Sequence, residues 1–110
     1  MLSRKNRISR KVFSELLLNS KYINSPEFSL RYVVGGTVSR PQIGVSVSKK
    51  ISKSAVVRNT IRRRTYSVMD EAVQELSRGL YLFVAKPGSE KLKGKKLKDE
   101  IKKLVLKLNQ

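Results

Sequence analysis

The sequence predicts a single α+β domain in which amphipathic helices pack on a sheet. Its 110 residues suit one domain, and no internal repeat or long linker divides them. Three segments space their apolar residues as helices do, and the segments between them either alternate apolar with polar residues or run apolar throughout, as strands do. We therefore expect one domain over residues 1–110, with helices at 9–20, 53–76 and 91–108, a short strand at 21–24 and longer strands at 27–34, 42–48 and 80–86.

The N-terminal part combines a basic arm with the first helix. Residues 1–7 are basic and show no periodicity, so we expect them to be mobile. In the first helix Val12 and Leu16 fall on one side, and Phe13 falls on a flanking side. The dipeptide Ser25–Pro26 then interrupts the chain before the first long strand.

The remaining strands and the last helix differ in how much surface they should bury. Residues 27–34 alternate apolar and polar side chains, and residues 42–48 alternate branched apolar side chains with glycine and serine, so one face of each should pack on a core. Residues 80–86 are apolar on both sides, which is typical of a strand between two layers. The last helix carries its apolar residues at helical spacing, at Leu97, Ile101, Leu104 and Leu108.

The central helix, residues 53–76, has two distinct sides. One side is an apolar stripe of Val57, Ile61, Val68, Ala72 and Leu76, with Thr65 among them. The adjacent side carries Arg58, Asn59, Arg62, Arg63 and Tyr66. We expect Ser54 to be the N-cap of this helix and Gly79 to be its left-handed C-cap.

The charges of the central helix oppose the helix dipole. Lys53 and Arg58 come early and Glu71 and Glu75 come late, although the dipole favours the reverse order, and arginines on neighbouring turns repel one another. Each mismatch costs a few tenths to about 1 kcal/mol. Closely spaced arginines that repel one another would each attract a bound polyanion, which offsets this cost. The interleaved arginine, asparagine and tyrosine therefore indicate a nucleic-acid contact. A solvated basic face is the alternative interpretation.

Composition narrows the chemistry of the chain. Its 25 basic and 8 acidic side chains give a net charge of +17, which is the electrostatic footprint of a nucleic-acid binder. The longest apolar run, LYLFVA, is far shorter than the ~20 residues of a membrane span, so no membrane partner is expected. Cysteine and histidine are absent and the carboxylates are scattered, so we expect no catalytic side chain. The lack of cysteine is compatible with the cytoplasmic location that we expect.

The stretch GVSVSKKISKSAVVRNTIRRR, residues 44–64, resembles the signature of the bacterial ribonuclease P protein subunit. It contains a hydroxyl-rich strand ending in paired lysines, then Lys-x-Ala-Val, then Arg-Asn-x-Ile-Arg-Arg. Weaker features of that family follow in matching order. They are Asn6-Arg7-Ile8, Phe13 in the first helix, the strand with Phe28, the segment LYLFVAKPG and a C-terminal helix.

This resemblance implies both a fold and an activity. The fold is an α/β sandwich with a four-stranded mixed sheet, similar to that of some ribosomal proteins. Its crossover from strand 42–48 through the central helix to strand 80–86 would be left-handed, although such crossovers are generally right-handed. The implied activity is that of a subunit of the endoribonuclease that removes the 5′ leader from precursor tRNA. There the RNA subunit carries the chemistry with bound Mg²⁺, and the protein assists by binding the RNA subunit and the single-stranded leader.

The resemblance also implies two binding surfaces. The surface for the RNA subunit would consist of Lys53, Arg58, Asn59, Arg62, Arg63 and Tyr66. The cleft for the leader would be lined by Phe13, Arg31, Ser46, Ser48 and Lys50. A base stacked on Phe13 would suit any leader sequence, because every base has a π-face. A core position for Phe13 is the alternative. No protein ligand to a metal is identified.

Three positions depart from the pattern of this family. Thr60 replaces the last residue of Arg-Asn-Arg, Tyr66 stands where a further basic residue is common, and Arg31 stands where an aromatic residue often lines the cleft. The electrostatic contribution of the motif should therefore be smaller or redistributed. Composition alone leaves open a structural RNA-binding protein, such as a ribosomal protein. A DNA-binding protein with the Arg58 helix in the major groove is disfavoured, because no companion helix stands at helix-turn-helix spacing.

Overall fold

A computed structural model describes residues 6–36 and 38–108 of the chain. In this part, the regular elements in chain order are α1 (Arg10–Asn19), β1 (Lys21–Asn24), β2 (Phe28–Val34), β3 (Pro41–Ser46), α2 (Ala55–Ala72), β4 (Gly79–Ala85) and α3 (Gly94–Leu108). Single 3₁₀ turns follow α2 at Val73–Glu75 and precede α3 at Ser89–Lys91. The predicted α+β class and every predicted element are confirmed. None of the helices described is long and apolar enough to cross a bilayer.

The strands form one mixed sheet in the order β1-β2-β4-β3. β2 pairs antiparallel with both β1 and β4, and β3 pairs parallel with β4. The parallel pair is connected through α2, as a βαβ crossover requires. The left-handed sense of that crossover stays a prediction of the family resemblance.

The larger core lies between the sheet and helices α2 and α3. Its most deeply buried members are Phe28, Leu30, Ile43, Tyr81 and Phe83 from the strands, with Ile61, Met69, Ile101 and Leu104 from the helices. Full burial of such side chains stabilises the fold by roughly 1.5–3 kcal/mol each. Thr65 is also buried here, and its hydroxyl donates to the carbonyl of Ile61 at 2.9 Å, which satisfies the polar group within the apolar stripe.

A smaller core lies on the opposite face of the sheet, under α1. It contains Leu16, Val38, Leu80 and Leu82, with Ile8 packed against it. Because β4 contributes alternate residues to both cores, its apolar character on both sides is explained. The side chain of Val12, which we expected beside Leu16, lies outside the described residues.

The segment before α1 makes defined contacts where it is described. The Asn6 side chain donates to the carbonyl of Pro41 at 3.0 Å, and Arg7 forms a parallel bridge with Ile43. The Ile8 amide donates to the carbonyl of Ile43 at 2.9 Å. Residues 1–5, the rest of the arm for which we expect mobility, lie outside the described residues.

The ends of α2 confirm one predicted cap and correct the other. Ser54 is the N-cap, and its hydroxyl accepts from the Val57 amide at 3.3 Å. Gly79 is not the C-cap, because the helix ends in the 3₁₀ turn and Gly79 begins β4. Its φ of 156° and its closeness to β2 explain the glycine, since a Cβ there would clash with the carbonyl oxygen of Val33.

One strand boundary differs in a way that affects the site. β3 ends at Ser46 rather than at residue 48, because the chain turns there and the Ile51 amide donates to the carbonyl of Ser48 at 3.1 Å. Ser48 and Lys50 therefore lie in the turn that leads to α2, and both are exposed.

Candidate nucleic-acid interface

A basic groove lies between α2 and the segment that runs along the edge strand β3. It is open to solvent, has a volume of about 560 Å³ and is lined by Arg7, Asn59, Arg62, Arg63 and Tyr66. The four residues from α2 are those expected on the polar side of the helix, and the structure brings them together on one surface. We call this surface the α2 groove.

Arg7 was not among the residues that the sequence singled out for RNA contact. Its guanidinium carbon lies 5.0 Å from the centroid of the Tyr66 ring, which is within the range of a cation–π interaction. Its backbone is held by the bridge to Ile43. Within the described residues, the Arg7 Nε is buried without a hydrogen-bond partner. The only sequence signal for this arginine was its place in the Asn6-Arg7-Ile8 stretch of the family resemblance.

The polar side of α2 is partly organised by its own hydrogen bonds. Arg62 donates to the side-chain oxygen of Asn59, one turn earlier. Arg58 donates from Nη1 to the carbonyl of Ser52 at 2.8 Å, so its guanidinium is turned toward the loop before α2. Lys53 is exposed in that same loop. Arg58 and Lys53 therefore extend the basic surface from the N-terminal end of the helix but do not line the α2 groove.

The late acidic residues of α2 include one with a clear structural role. Glu71 forms an ion pair with Lys98 of α3, with 3.0 Å between Oε2 and Nζ. The pair is exposed and should contribute at most about 1 kcal/mol. The pair holds the Glu71 carboxylate between α2 and α3. The residues that line the α2 groove therefore carry only positive charge or no charge. Such a surface attracts a polyanion.

The second expected surface lies on the α1 side of the sheet. Arg31 pairs with Leu82, and Ser46 pairs with Val84, and both β4 residues belong to or pack on the smaller core. Directly paired residues point to the same face, so Arg31 and Ser46 face α1. Phe13 on α1 is 38% exposed, which shows that it is not a core residue. Ser48 and Lys50 lie in the adjoining turn. We refer to the five residues expected to bind the leader as the α1 cleft.

The carboxylates of the chain serve structure where contacts are described. Glu100 of α3 accepts from the Ser25 hydroxyl at 2.7 Å and from the Glu27 amide at 3.0 Å, which ties the β1–β2 turn to α3. Hydrogen bonding to Glu100, then burial and then charge repulsion by Glu100 raise the pKa of Glu27 above its ordinary value of 4.5. No group of three His, Cys, Asp or Glu side chains positioned to hold a metal occurs among the residues described.

A buried tyrosine likewise has a structural hydrogen bond. The Tyr81 hydroxyl donates to the carbonyl of Ser77 at 2.8 Å, and burial raises the pKa of Tyr81. This bond links the start of β4 to the segment that follows α2. Tyr81 lies in the larger core and not in either candidate binding surface.

Comparisons with known proteins agree on one family. The family model described as Ribonuclease P matches residues 2–109. A ribonuclease P protein component from Microcystis aeruginosa is 35% identical over 69 residues, which cover 62% of this chain and 58% of the relative. One from Xanthomonas oryzae is 29% identical over 97 residues, which cover 88% of this chain and 66% of the relative. The matched segments therefore span 58% and 66% of the lengths of these two relatives, which is less than two thirds of each.

Solved structures show the same fold. The RNase P protein of Staphylococcus aureus superimposes with a TM-score of 0.81 at 18% identity, covering 96% of this chain and 95% of that one. The RNase P protein of Thermotoga maritima superimposes with a TM-score of 0.64 at 17% identity, covering 93% of each chain. At this level of identity the likeness concerns the arrangement of the helices and the sheet.

Proposed function

This chain belongs to the ribonuclease P protein family, and on that premise we propose that it is the protein subunit of a ribonuclease P ribonucleoprotein. In this role it assists a catalytic RNA in removing the 5′ leader from precursor tRNA. The observation that carries the proposal is the α2 groove, where Arg7, Arg62 and Arg63 from two separate chain segments line one open surface. Three guanidinium groups held on a rigid helix and a sheet edge are suited to phosphate groups.

We assign the two surfaces to two different RNA segments. The α2 groove, together with Lys53 and Arg58, binds the RNA subunit, and the α1 cleft binds the single-stranded leader. Phosphate contacts in the groove fix the position of the protein without reading sequence. Stacking on Phe13 in the cleft tolerates any leader sequence.

One short segment connects the two surfaces. Arg7 lines the α2 groove, Ile8 packs on the smaller core, and Phe13 lies one helical turn into α1. The bridge between Arg7 and Ile43 fixes this segment to the sheet. The sheet therefore holds both surfaces in a constant relationship, which would present the leader in a defined position relative to the RNA subunit.

The chemistry in this proposal belongs to the RNA partner. Mg²⁺ bound mainly by the RNA supplies the electrostatic stabilisation that phosphodiester cleavage requires. The residues of this chain bind and orient, and through their positive charge they lower the repulsion between two polyanions. We place the assembly in the cytoplasm.

Reconstitution tests the proposal directly. The purified chain is added to the ribonuclease P RNA subunit at low Mg²⁺ concentration, and release of the 5′ leader from precursor tRNA is measured. We expect the chain to raise kcat/KM for leader removal. The double variant that combines Arg62→Ala with Arg63→Ala should reach the same kcat/KM only at a higher protein concentration. A chain that binds the RNA subunit without any change in leader removal would instead indicate a structural RNA-binding protein.

A further inference from the structure

A tyrosine on the edge strand β1 shares the α1 side of the sheet. Tyr22 pairs with Arg31, which in turn pairs with Leu82. Its neighbour Ile23 packs against the larger core on the opposite face, so alternation along the strand directs Tyr22 toward the α1 side. The Tyr22 side chain is 66% exposed, so most of its ring is accessible to solvent.

Tyr22 belongs to a row of directly paired residues that crosses the four strands, and this row is covered at one end and open at the other. It crosses the sheet from Gly44 through Leu82 and Arg31 to Tyr22. A Cβ on Gly44 would lie 3.1 Å from Cδ1 of Ile8, so the β3 end of the row is covered. The β1 end is uncovered, because Arg31 is only partly buried and Tyr22 is exposed.

The neighbouring row is lined mainly by small polar side chains. It runs from Ser46 through Val84 and Ser29 to Asn24, two residues further along the strands and on the same face of the sheet. Ser46 and Asn24 at its ends are exposed. Four strands span roughly 14 Å at about 4.8 Å per step, so this row offers a shallow path from the Ser46 end of the α1 cleft to the β1 edge.

We propose that Tyr22 is a second stacking platform, on which a base of the single-stranded leader lies after the strand has crossed the sheet from the Ser46 end. Arg31, directly beside it, contacts the adjoining phosphate. This inference rests on the proposed function, because it takes the leader as the occupant. A paired aromatic and arginine at the end of a polar path match the π-face and the phosphate of one nucleotide.

Tyr22 compensates for the absence of an aromatic residue at position 31 of the α1 cleft. Arg31 stands where an aromatic residue is common in the family that the sequence resembles, which leaves Phe13 as the aromatic residue assigned to the cleft from the sequence. Cross-strand partners have Cβ atoms about 4.5–5.5 Å apart, so Tyr22 restores an aromatic group within one residue width of that position.

The test uses the chain assembled with its RNA subunit and a series of precursor tRNAs, each with one abasic position in the leader. We expect Tyr22→Ala to weaken binding of the intact leader by about five- to tenfold, and Tyr22→Phe to bind as the wild type does. Removal of the base at one leader position should weaken binding to the wild type but not to Tyr22→Ala. Removal of the base at a different position should weaken binding to the wild type but not to Phe13→Ala. We call such a loss of binding the abasic penalty. Val34→Ala is the matched control, since Val34 is 56% exposed and lies on the other face of the sheet.

The outcomes separate this inference from the proposed function. If Tyr22→Ala binds every leader as Val34→Ala does, or loses the same factor on every abasic leader, the Tyr22 platform is overturned. The proposed function then stands as long as Phe13→Ala still removes one abasic penalty. If the wild-type assembly shows no abasic penalty at any position, both this inference and the assignment of the leader to the α1 cleft are overturned.

Discussion

The guanidinium of Arg7 lies over the ring of Tyr66, with 5.0 Å between its central carbon and the ring centroid. The two residues come from distant parts of the sequence and meet in the α2 groove. Tyr66 stands where the family resemblance leads one to expect a basic side chain on α2. The charge missing from the helix is thus supplied by the N-terminal segment, and the tyrosine ring holds it in place.

The contact between Arg7 and Tyr66 predicts different effects of two substitutions at Tyr66 on RNA binding. Tyr66→Ala should release the Arg7 side chain and weaken assembly with the RNA subunit by about 0.5–1 kcal/mol, the typical value of an exposed cation–π pair. Tyr66→Phe should assemble as the wild type does, because the ring face and not the hydroxyl contacts Arg7. Filter binding of the RNA subunit measures both. Equal losses in the two variants would assign the effect to the hydroxyl and contradict the role given to the ring.

The two arginines at spacing i, i+4 on α2 should differ in what they contribute. Arg62→Ala should weaken RNA binding and reduce the slope of log K against log salt concentration by about 1, as the loss of one phosphate contact does. Arg58→Ala should weaken binding too, and it should also lower the melting temperature, because Arg58 donates to the carbonyl of Ser52. Binding titrations over a range of salt, combined with thermal unfolding, separate the two effects. An unchanged slope for Arg62→Ala would exclude a phosphate contact by that residue.

Phe13 provides a test that is specific for the leader. Its side chain is 38% exposed on the α1 side, so truncation should leave the fold intact. Phe13→Ala should weaken binding of precursor tRNA to the assembled enzyme by ~1–3 kcal/mol, the value of one lost stacking contact. Binding of mature tRNA, which has no leader, should hardly change. Equal losses for the two tRNAs would contradict the assignment of Phe13 to the leader.

Particular residues show where sequence reasoning succeeded and where it could not. The α+β fold and the Ser54 cap followed from local signals, because periodicity and capping act within a few residues. Gly79 was misassigned because its requirement comes from the Val33 carbonyl on another strand. Arg7 and Tyr22 were not singled out as binding residues for a similar reason. Arg7 takes its place by pairing with Ile43, and the row of Tyr22 is defined by its partner Arg31, which pairs with Leu82.

The net charge of +17 predicts a response of the free chain to anions. Self-repulsion destabilises the compact state at low salt, and an anion that binds the folded basic surfaces stabilises it by mass action. We expect sulfate or phosphate to raise the melting temperature more than chloride does at equal ionic strength. The combined variant Arg62→Ala and Arg63→Ala should show a smaller increase, because both residues line the α2 groove. A melting temperature that responds equally to all three anions would exclude specific anion binding there.

The contact between Glu27 and Glu100 predicts a pH dependence of stability. Because the pKa of Glu27 is raised above 4.5, the folded chain retains a proton that the unfolded chain releases as the pH rises through this range. The contribution of Glu27 to the free energy of unfolding should therefore fall with rising pH, because it is present below pH 4.5 and lost above the raised pKa.

Substitution of Glu27 by glutamine tests this sign. Glu27→Gln keeps a side-chain donor toward Glu100 at every pH, so it should raise the melting temperature at pH 7 and leave it nearly unchanged at acidic pH. Glu75→Gln is the matched control, since it removes the same charge from an exposed residue in the turn after α2. Thermal unfolding of the three proteins between acidic and neutral pH measures the difference. A gain that is equal for both variants would reflect net charge alone, and a gain for Glu27→Gln that grows toward acidic pH would reverse the predicted sign.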